Sequence, residues 1–289
     1  MKLRVATCLT LPEVDPDEAP LAAALAAAGI DAALVAWDDP RVDWDAPIPT
    51  VLRSTWNYAL DVTAFLAWID RVSRAAPLWN PADIVRGNVH KRYLLELAAR
   101  GVPVVPTVVI ERGEAPGEPK GSIRDALGTR LCSSGDRIVV KPEVGAGSLH
   151  TRVFSLEDAD DAYRAHLATI GRHAAALVQP YLTSVETYGE RSLVWIDGAL
   201  SHAIRKAPRF WGDSESVTGP LPIADDERAV AEAALAPIAE RILYGRVDLA
   251  RDENDRPVVM ELELVEPSLF FVRGPGSVER FVHGLVRRL

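Results

Sequence analysis

The stretch Val-Val-Met-Glu-Leu-Glu-Leu-Val-Glu-Pro at 258–267 alternates with the period of a strand. Met260, Leu262 and Leu264 then face one side, and Glu261 and Glu263 the other. Two like charges ~7 Å apart on one face repel unless water or a cation lies between them. Upstream, Arg246 and Asp248 share a face of an incoming strand, and 13 positions separate Asp248 from Glu261, a spacing consistent with antiparallel partners joined by a short turn. If the faces coincide, three carboxylates and a guanidinium converge. Hard carboxylate oxygens suit magnesium, which usually shares its coordination with waters and phosphates. The competing reading of such a hairpin is a solvated, salt-bridged surface. Under the metal reading, neutralising one of the three acids removes repulsion and can raise thermal stability when magnesium is absent.

A second group of residues suits phosphate. "VVKPEVGAGS" ends a β-branched strand in Lys141 and continues into a loop with Gly145 and Gly147. Glycines there let backbone N–H groups approach phosphate oxygens, and the lysine adds a point charge. The lysine precedes the glycines, so this is neither a Walker loop nor a GxGxxG fingerprint, and a plain turn is the alternative. Lys91 falls in the first turn of a helix after Asn88, a place that favours anions, although a solvated lysine is the commoner reading. "LVQPYL" (177–182) followed by "GERS" (189–192) places an extended segment before an acid. Such a segment can pair with a base edge and such an acid with a ribose hydroxyl, or the two are merely strands and a linker.

The elements that must position these groups alternate. Strands at 3–10 and 32–37 flank an alanine-rich helix at about 17–28 closed by Gly29, and "TVLRST" (50–55) is a third strand. Asp61 is a candidate N-cap for "VTAFLAWIDRVSRAA". This pattern predicts a small parallel α/β layer over the first 85 or so residues. "GNVHKRYLLELAARG" reads as one helix ending at Gly101 and "VPVVPTVVI" as a strand. Residues 111–135 read as loop with a short helix at 122–127. Then come strand, glycine loop and strand over 137–154, a helix near 157–171, and the strand "AALVQPY". A hairpin turning at Asp197-Gly198, a long helix at 225–243, a second hairpin turning near Asn254 and a final helix at about 277–288 complete the chain.

The chain has 289 residues, 48% hydrophobic and 25% charged, with a net charge of −9 and no basic run, which argues against a nucleic-acid partner. No apolar stretch approaches the roughly 18 residues a membrane span needs, and the short apolar run at the N-terminus reaches acidic residues too soon for the pattern expected of a signal peptide. Two cysteines without paired spacing indicate neither a disulfide framework nor a zinc knuckle. The expected setting is cytoplasmic, with an isologous homodimer as the default oligomeric state.

In this order and spacing the pieces resemble the ATP-grasp superfamily, particularly its glutathione-synthetase and D-alanine–D-alanine ligase branches, over about residues 87–289. The resemblance implies an α/β (α+β) fold. Residues 1–86 would form a parallel α/β preATP-grasp domain, and 87–289 an ATP-grasp region with a lid at 107–178 and a C-terminal catalytic subdomain at 179–289. It implies ATP and magnesium (Mg2+) as cofactors. Lys91 and Lys141 match the family's two phosphate-touching lysines, with Gly145 and Gly147 in the loop after the second. Gln179 occupies the usual glutamate position near the adenine amino group, Tyr181 and Leu182 the hinge, and Glu190 the ribose-binding acid, with Glu186 a second candidate. Arg246 and Asp248 match an Arg-x-Asp pair. Glu261 and Glu263 fill the Glu-x-Asn metal pair, Glu263 departing by adding a charge.

"LRSTWNY" (52–58) and "SHAIRKAPRF" (201–210) narrow the likeness to a bacterial group of small ATP-grasp proteins that includes the D-cycloserine-forming O-ureido-serine cyclo-ligases. "FWGDSESVTGP" (210–220) departs from that group in lacking an arginine-containing stretch. The implied activity is phosphorylation of a carboxylate by ATP and attack of an amine on the acyl phosphate, with intramolecular closure one case. The catalytic candidates are Arg246, Lys206 and Arg205. Those for a small amino-acid-like substrate are Arg53, Ser54, Thr55, Trp56, Tyr58 and Ser268. A small-molecule kinase and a non-catalytic nucleotide-binding protein are the rival readings.

Overall fold

A computed structural model describes residues 1–113, 137–145, 147, 149–155, 160–207 and 216–289. The helix expected at 122–127 and positions 210–215 lie outside the described residues. The chain begins with β1 (Lys2–Thr7), α1 (Glu18–Ala27), β2 (Asp31–Ala36), β3 (Thr50–Leu52), α2 (Val62–Ala75) and β4 (Leu78–Trp79). The four strands form a parallel sheet in the order β2-β1-β3-β4. Gly29, at φ +72°, turns the chain out of α1 where a Cβ would be strained. The Asp61 carboxylate accepts the Ala64 N–H at 2.9 Å and so starts α2. Phe65, Trp68, Ile69 and Val72 follow at helical spacing and are all buried. The third strand stops at Leu52 rather than 55, and Arg53, Ser54 and Thr55 continue from its end into the protein interior.

The single helix expected over 87–101 is two, α3 (Ala82–Asn88) and α4 (Tyr93–Ala99). Asn88 explains the break. Its buried side chain donates to the Leu262 carbonyl at 2.8 Å and accepts the Leu264 N–H at 2.7 Å, tying the end of α3 to a strand. Lys91 therefore sits in a turn between helices, its backbone N–H on the Glu143 carbonyl at 2.8 Å, and not in a first helical turn.

A second sheet, ordered β5-β8-β6-β7, comprises β5 (Val108–Ile110), β6 (Arg137–Pro142), β7 (Arg152–Ser155) and β8 (Ala176–Pro180). Helix α5 (Asp160–Gly171) packs Tyr163, Leu167 and Ile170 on it. After the short α6 (Ser184–Thr187) come β9 (Glu190–Ile196), β10 (Ala199–Lys206) and β11 (Val217–Leu221), then α7 (Asp225–Leu235), β12 (Tyr244–Arg251), β13 (Pro257–Glu263) and α8 (Ser277–Val286). Asp197 and Gly198, at φ +47° and +87°, make the β9–β10 turn in the left-handed conformation that suits strand twist. The helix expected to reach 243 ends at Leu235, because Pro237 has no N–H to continue it and its ring clashes with the preceding turn.

These last strands form a five-stranded antiparallel sheet, β11-β10-β9-β12-β13. One face packs Leu193, Trp195, Val247, Leu249 and Leu262 under α4 and α7. The other packs Val194, Ile196 and Tyr244 against Phe281, Val282 and Leu285 of α8 and against the parallel sheet. Asn80 bridges the two sheets. Its amide donates to the carbonyls of Tyr244 (2.9 Å) and Leu264 (2.7 Å), and its oxygen accepts from Leu243 N–H (2.9 Å), with no solvent exposure. Asn80→Ala leaves three buried backbone groups unpartnered, so chemical unfolding should show a loss of about 3 kcal/mol or more. Among the described residues no helix is long and apolar enough to cross a membrane.

Candidate active site

The strand register assembles the candidate site. Arg246 lies opposite Glu263 and Asp248 opposite Glu261 on β12–β13, Asp248 opposite Ser192 on β9, and Glu190 opposite Lys206 on β9–β10. Opposed residues share a face. Arg246, Asp248, Glu261, Glu263, Glu190 and Lys206 thus project together from the face that also carries Val194 and Tyr244. The expected alternation of 258–267 holds for both glutamates but not for Met260. A bulge after Asp248 makes Met260 the extra residue, and it packs with Tyr181, Val185 and Ala250 instead of with Leu262.

The carboxylates are not bare. The Arg246 Nε and Nη2 atoms donate to Asp248 Oδ1 and Oδ2, both at 2.9 Å, and Nη2 also reaches Glu263. The Lys206 ammonium donates to Asp248 at 2.9 Å and contacts Glu190. The Lys91 ammonium donates to Glu261 at 2.5 Å and to the Gly145 carbonyl at 2.8 Å, pinning the glycine loop to β13. Repulsion between naked acids, and the stability gain expected on removing one, therefore give way to a lattice of alternating charge. Burial opposes ionisation of Asp248, yet Arg246 and Lys206 hold its carboxyl far below the usual range. Burial likewise opposes Glu261, and Lys91 and Lys141 still keep it low. At Glu190 and Glu263 burial wins over Lys206 and Arg246 respectively, pushing each up to about 7. Lys141 is buried, has no ion-pair partner among the described residues, and its pKa is lowered by that burial and by Lys91, with Glu261 pulling the other way.

This donor set fits a magnesium shared with phosphates. Asp248 and Glu261 are ionised, opposed and all-oxygen, and such an ion completes its shell with water and phosphate oxygens. Among the described residues no three His, Cys, Asp or Glu groups form a cage able to hold a metal unaided. Glu263 is committed to Arg246 and would be the weaker third ligand.

The nucleotide candidates are more spread out. Gln179 is buried, and its amide donates at 2.9 Å to the Thr107 hydroxyl, which itself donates to the Val105 carbonyl. The Tyr181 hydroxyl donates to Glu186 at 2.9 Å while the Arg137 guanidinium lies 4.1 Å above its ring. Glu186 is thus engaged by Tyr181 and Arg137, and Glu190 faces Lys206 and Asp248. Leu182 lines a 420 Å³ crevice with Tyr181, Pro106 and Arg251. Gly147 has φ +60°, in the left-handed region.

Three substrate or catalytic candidates are engaged by contacts within the protein. Arg53, 2% exposed, pairs with Asp17 at 3.2 Å and lies over the Tyr244 and Phe271 rings, while its Nε and Nη1 are buried with no hydrogen-bond partner among the described residues. Tyr58 packs in the core, its ring 5.0 Å from Phe65, and lies within reach of the charges of Glu266, Glu261 and Glu263. Arg205 lies opposite Arg191 on the sheet face covered by α7, away from Lys206 and Asp248, because neighbours in a strand point to opposite sides. It donates to the Thr187 carbonyl at 2.8 Å. Trp56 is half-buried and donates to the Glu266 carbonyl at 3.0 Å. Ser54 shares a hydrogen bond with Thr7, the Thr55 hydroxyl is buried without a partner among the described residues, and the Ser268 carbonyl accepts from Arg246 at 3.2 Å.

Two acids escape sequence reasoning. Asp17 accepts the N–H groups of Leu269, Phe270 and Phe271 at 2.5–3.1 Å and so fixes the loop after β13. Glu266 is the third acid of the opening stretch, buried next to the ion-pair lattice. Its only sequence signal is its proximity to Glu261 and Glu263.

A parallel α/β sheet followed by two antiparallel sheets, with this charged face on the last, is the architecture of the ATP-grasp ligases, and the protein is an ADP-forming ligase of that class. D-alanine–D-alanine ligase from Bacillus anthracis complexed with ATP shares the fold at 15% identity (TM-score 0.67, 99% of this chain and 96% of that one). So does the RimK domain ATP-grasp protein from Sphaerobacter thermophilus, at 19% identity (TM-score 0.69, 98% and 99%). The cycloserine biosynthesis protein DcsG of Streptomyces lavendulae is 37% identical over 302 residues, 99% of this chain and 97% of its own length. The crystal structure of D-cycloserine synthetase DcsG matches with a TM-score of 0.88 at 34% identity, over 100% of this chain and 99% of that one. A family profile for the D-cycloserine synthetase DcsG N-terminal domain matches residues 3–80. The chain belongs to the DcsG family.

Proposed function

We propose that this ligase uses ATP to activate the carboxylate of a small amino-acid-like substrate and joins it to a nitrogen of the same molecule, closing a ring as in cycloserine formation. The observation that carries this reading is the pairing of opposed, ionised Asp248 and Glu261 with Lys91, Lys206 and Arg246 on one sheet face. Lys141 and Lys91, with the loop of Gly145 and Gly147, bind phosphates. Gln179, Tyr181 and Leu182 hold the base, and Glu186 or Glu190 the ribose. Asp248 and Glu261, with Glu263, are the residues that would hold magnesium, which supplies neutralisation of phosphate charge. Arg246 and Lys206 stabilise the charge that develops as the phosphoryl group moves to the substrate carboxylate. The nitrogen then attacks the acyl carbon, the C–O bond to phosphate breaks, and orthophosphate leaves with the electron pair. We further propose residues 1–86 and 87–289 as the two domains and 107–178 as a lid that keeps water from the acyl phosphate.

Incubation with ATP, magnesium and O-ureido-serine tests this. ADP and orthophosphate should appear in equal amounts with a cyclised product. ADP with a stable phosphorylated product and no orthophosphate would make the protein a kinase. Nucleotide binding without ADP release across an amino-acid panel would make it a binding protein.

A further inference from the structure

The ion-pair lattice leaves one acid over. Glu190, Asp248, Glu261 and Glu263 each contact a lysine or arginine. Glu266, more than nine-tenths buried, has neither a hydrogen bond to its carboxylate nor an ion pair among the described residues. The cations that its charge feels most are Lys91 and Arg246, both already committed to other acids. A carboxylate buried in this way is costly unless something cationic completes it.

We propose that Glu266 receives the ammonium group of the amino-acid-like substrate, an inference that rests on the functional reading above. Its position supports this. The Trp56 indole holds the Glu266 carbonyl at 3.0 Å and the Arg53 guanidinium holds the next carbonyl, that of Pro267, at 3.0 Å. The acid is thereby fixed against the stretch that carries the buried, unpartnered Thr55 hydroxyl. It lies past the end of β13 and outside the Asp248–Glu261 register pair that suits a metal, while remaining in the electrostatic range of Glu261, Glu263 and Arg246. Burial and the neighbouring Glu263 push its pKa up to about 8, the signature of a carboxylate that lacks its counter-charge. An ammonium offers three N–H donors to the two carboxylate oxygens, and it arrives and departs with the substrate.

The test compares Glu266→Gln and Glu266→Asp with the unaltered protein, each checked for folding by its melting curve. Steady-state kinetics would use O-ureido-serine and its analogue with hydrogen in place of the α-amino group. Calorimetric titrations of both would use ADP and magnesium. Glu266→Gln should raise KM for the amino substrate about tenfold or more, leave KM for ATP and the magnesium dependence unchanged, and cost the deamino analogue little. Glu266→Asp should recover part of the loss. Equal losses for both analogues, or a shifted magnesium requirement, would overturn the assignment and make Glu266 a structural or metal-site acid. Failure of the unaltered protein to bind or turn over any amino acid would remove the functional reading, and this inference with it.

Discussion

Asp248→Asn should fold, lose turnover by about 10²–10³-fold or more, and melt below the unaltered protein. The activity loss follows from its place between Arg246, Lys206 and the opposed Glu261. The stability loss follows from the same contacts. Asp248 is 1% exposed, and removing its charge leaves two buried cations short of a partner, which costs about 3–5 kcal/mol. The sign with pH is fixed by linkage. A carboxyl held below its unfolded pKa binds protons less tightly when folded, so its contribution is complete above the ordinary Asp value of 3.8 and is lost as pH falls toward the folded value. Urea unfolding of both proteins at neutral pH and near pH 3 checks this. The gap should be wide at neutral pH and narrower in acid. Superimposable curves at neutral pH would mean that Arg246 and Lys206 find compensation elsewhere.

The convergence of Arg246, Asp248, Glu261 and Glu263 on one face was legible because a strand's period of two and a 13-position spacing determine which acids can oppose each other. Asp61 as a cap and Asp197-Gly198 as a turn were legible for the same reason, since each acts within four residues. What sequence reasoning missed depends on distant partners. The break before Lys91 is made by Asn88 reaching Leu262 and Leu264, more than 170 positions away. The burial of Arg53 is made by Asp17 and two aromatic rings from other elements. Two of the differences carry a local signal. Pro237 announces the end of α7 by its missing N–H, and Arg205 and Lys206, adjacent in a strand, cannot both face Asp248. The bulge at Met260 and the isolation of Glu266 had no local signal, because alternation says where a residue points and not what meets it there.

Lys141 should show activity and stability moving in opposite directions. It is 8% exposed at the end of β6, and its ammonium has no ion-pair partner among the described residues. Burial and Lys91 lower its pKa against the pull of Glu261 and the other acids, so the folded protein holds this proton less tightly than the unfolded chain does. Stability therefore rises with pH between the folded value and the ordinary lysine value of 10.5, and this slope should be missing from Lys141→Met. At neutral pH the variant loses a buried charge without an ion-pair partner among the described residues while retaining an aliphatic stem, so its melting temperature without nucleotide should equal or exceed that of the unaltered protein. With ATP the order reverses. Loss of the proposed phosphate contact should cut kcat/KM for ATP about 10²-fold, while adenosine binding stays unchanged. A ligand at 100 times its dissociation constant stabilises by about 2.7 kcal/mol, and a hundredfold weaker affinity removes most of that shift. Thermal melts with ATP, adenosine and neither check all three effects. A variant that melts lower alone but keeps its full ATP shift would show that Lys141 supports the strand and leaves the phosphates to Lys91.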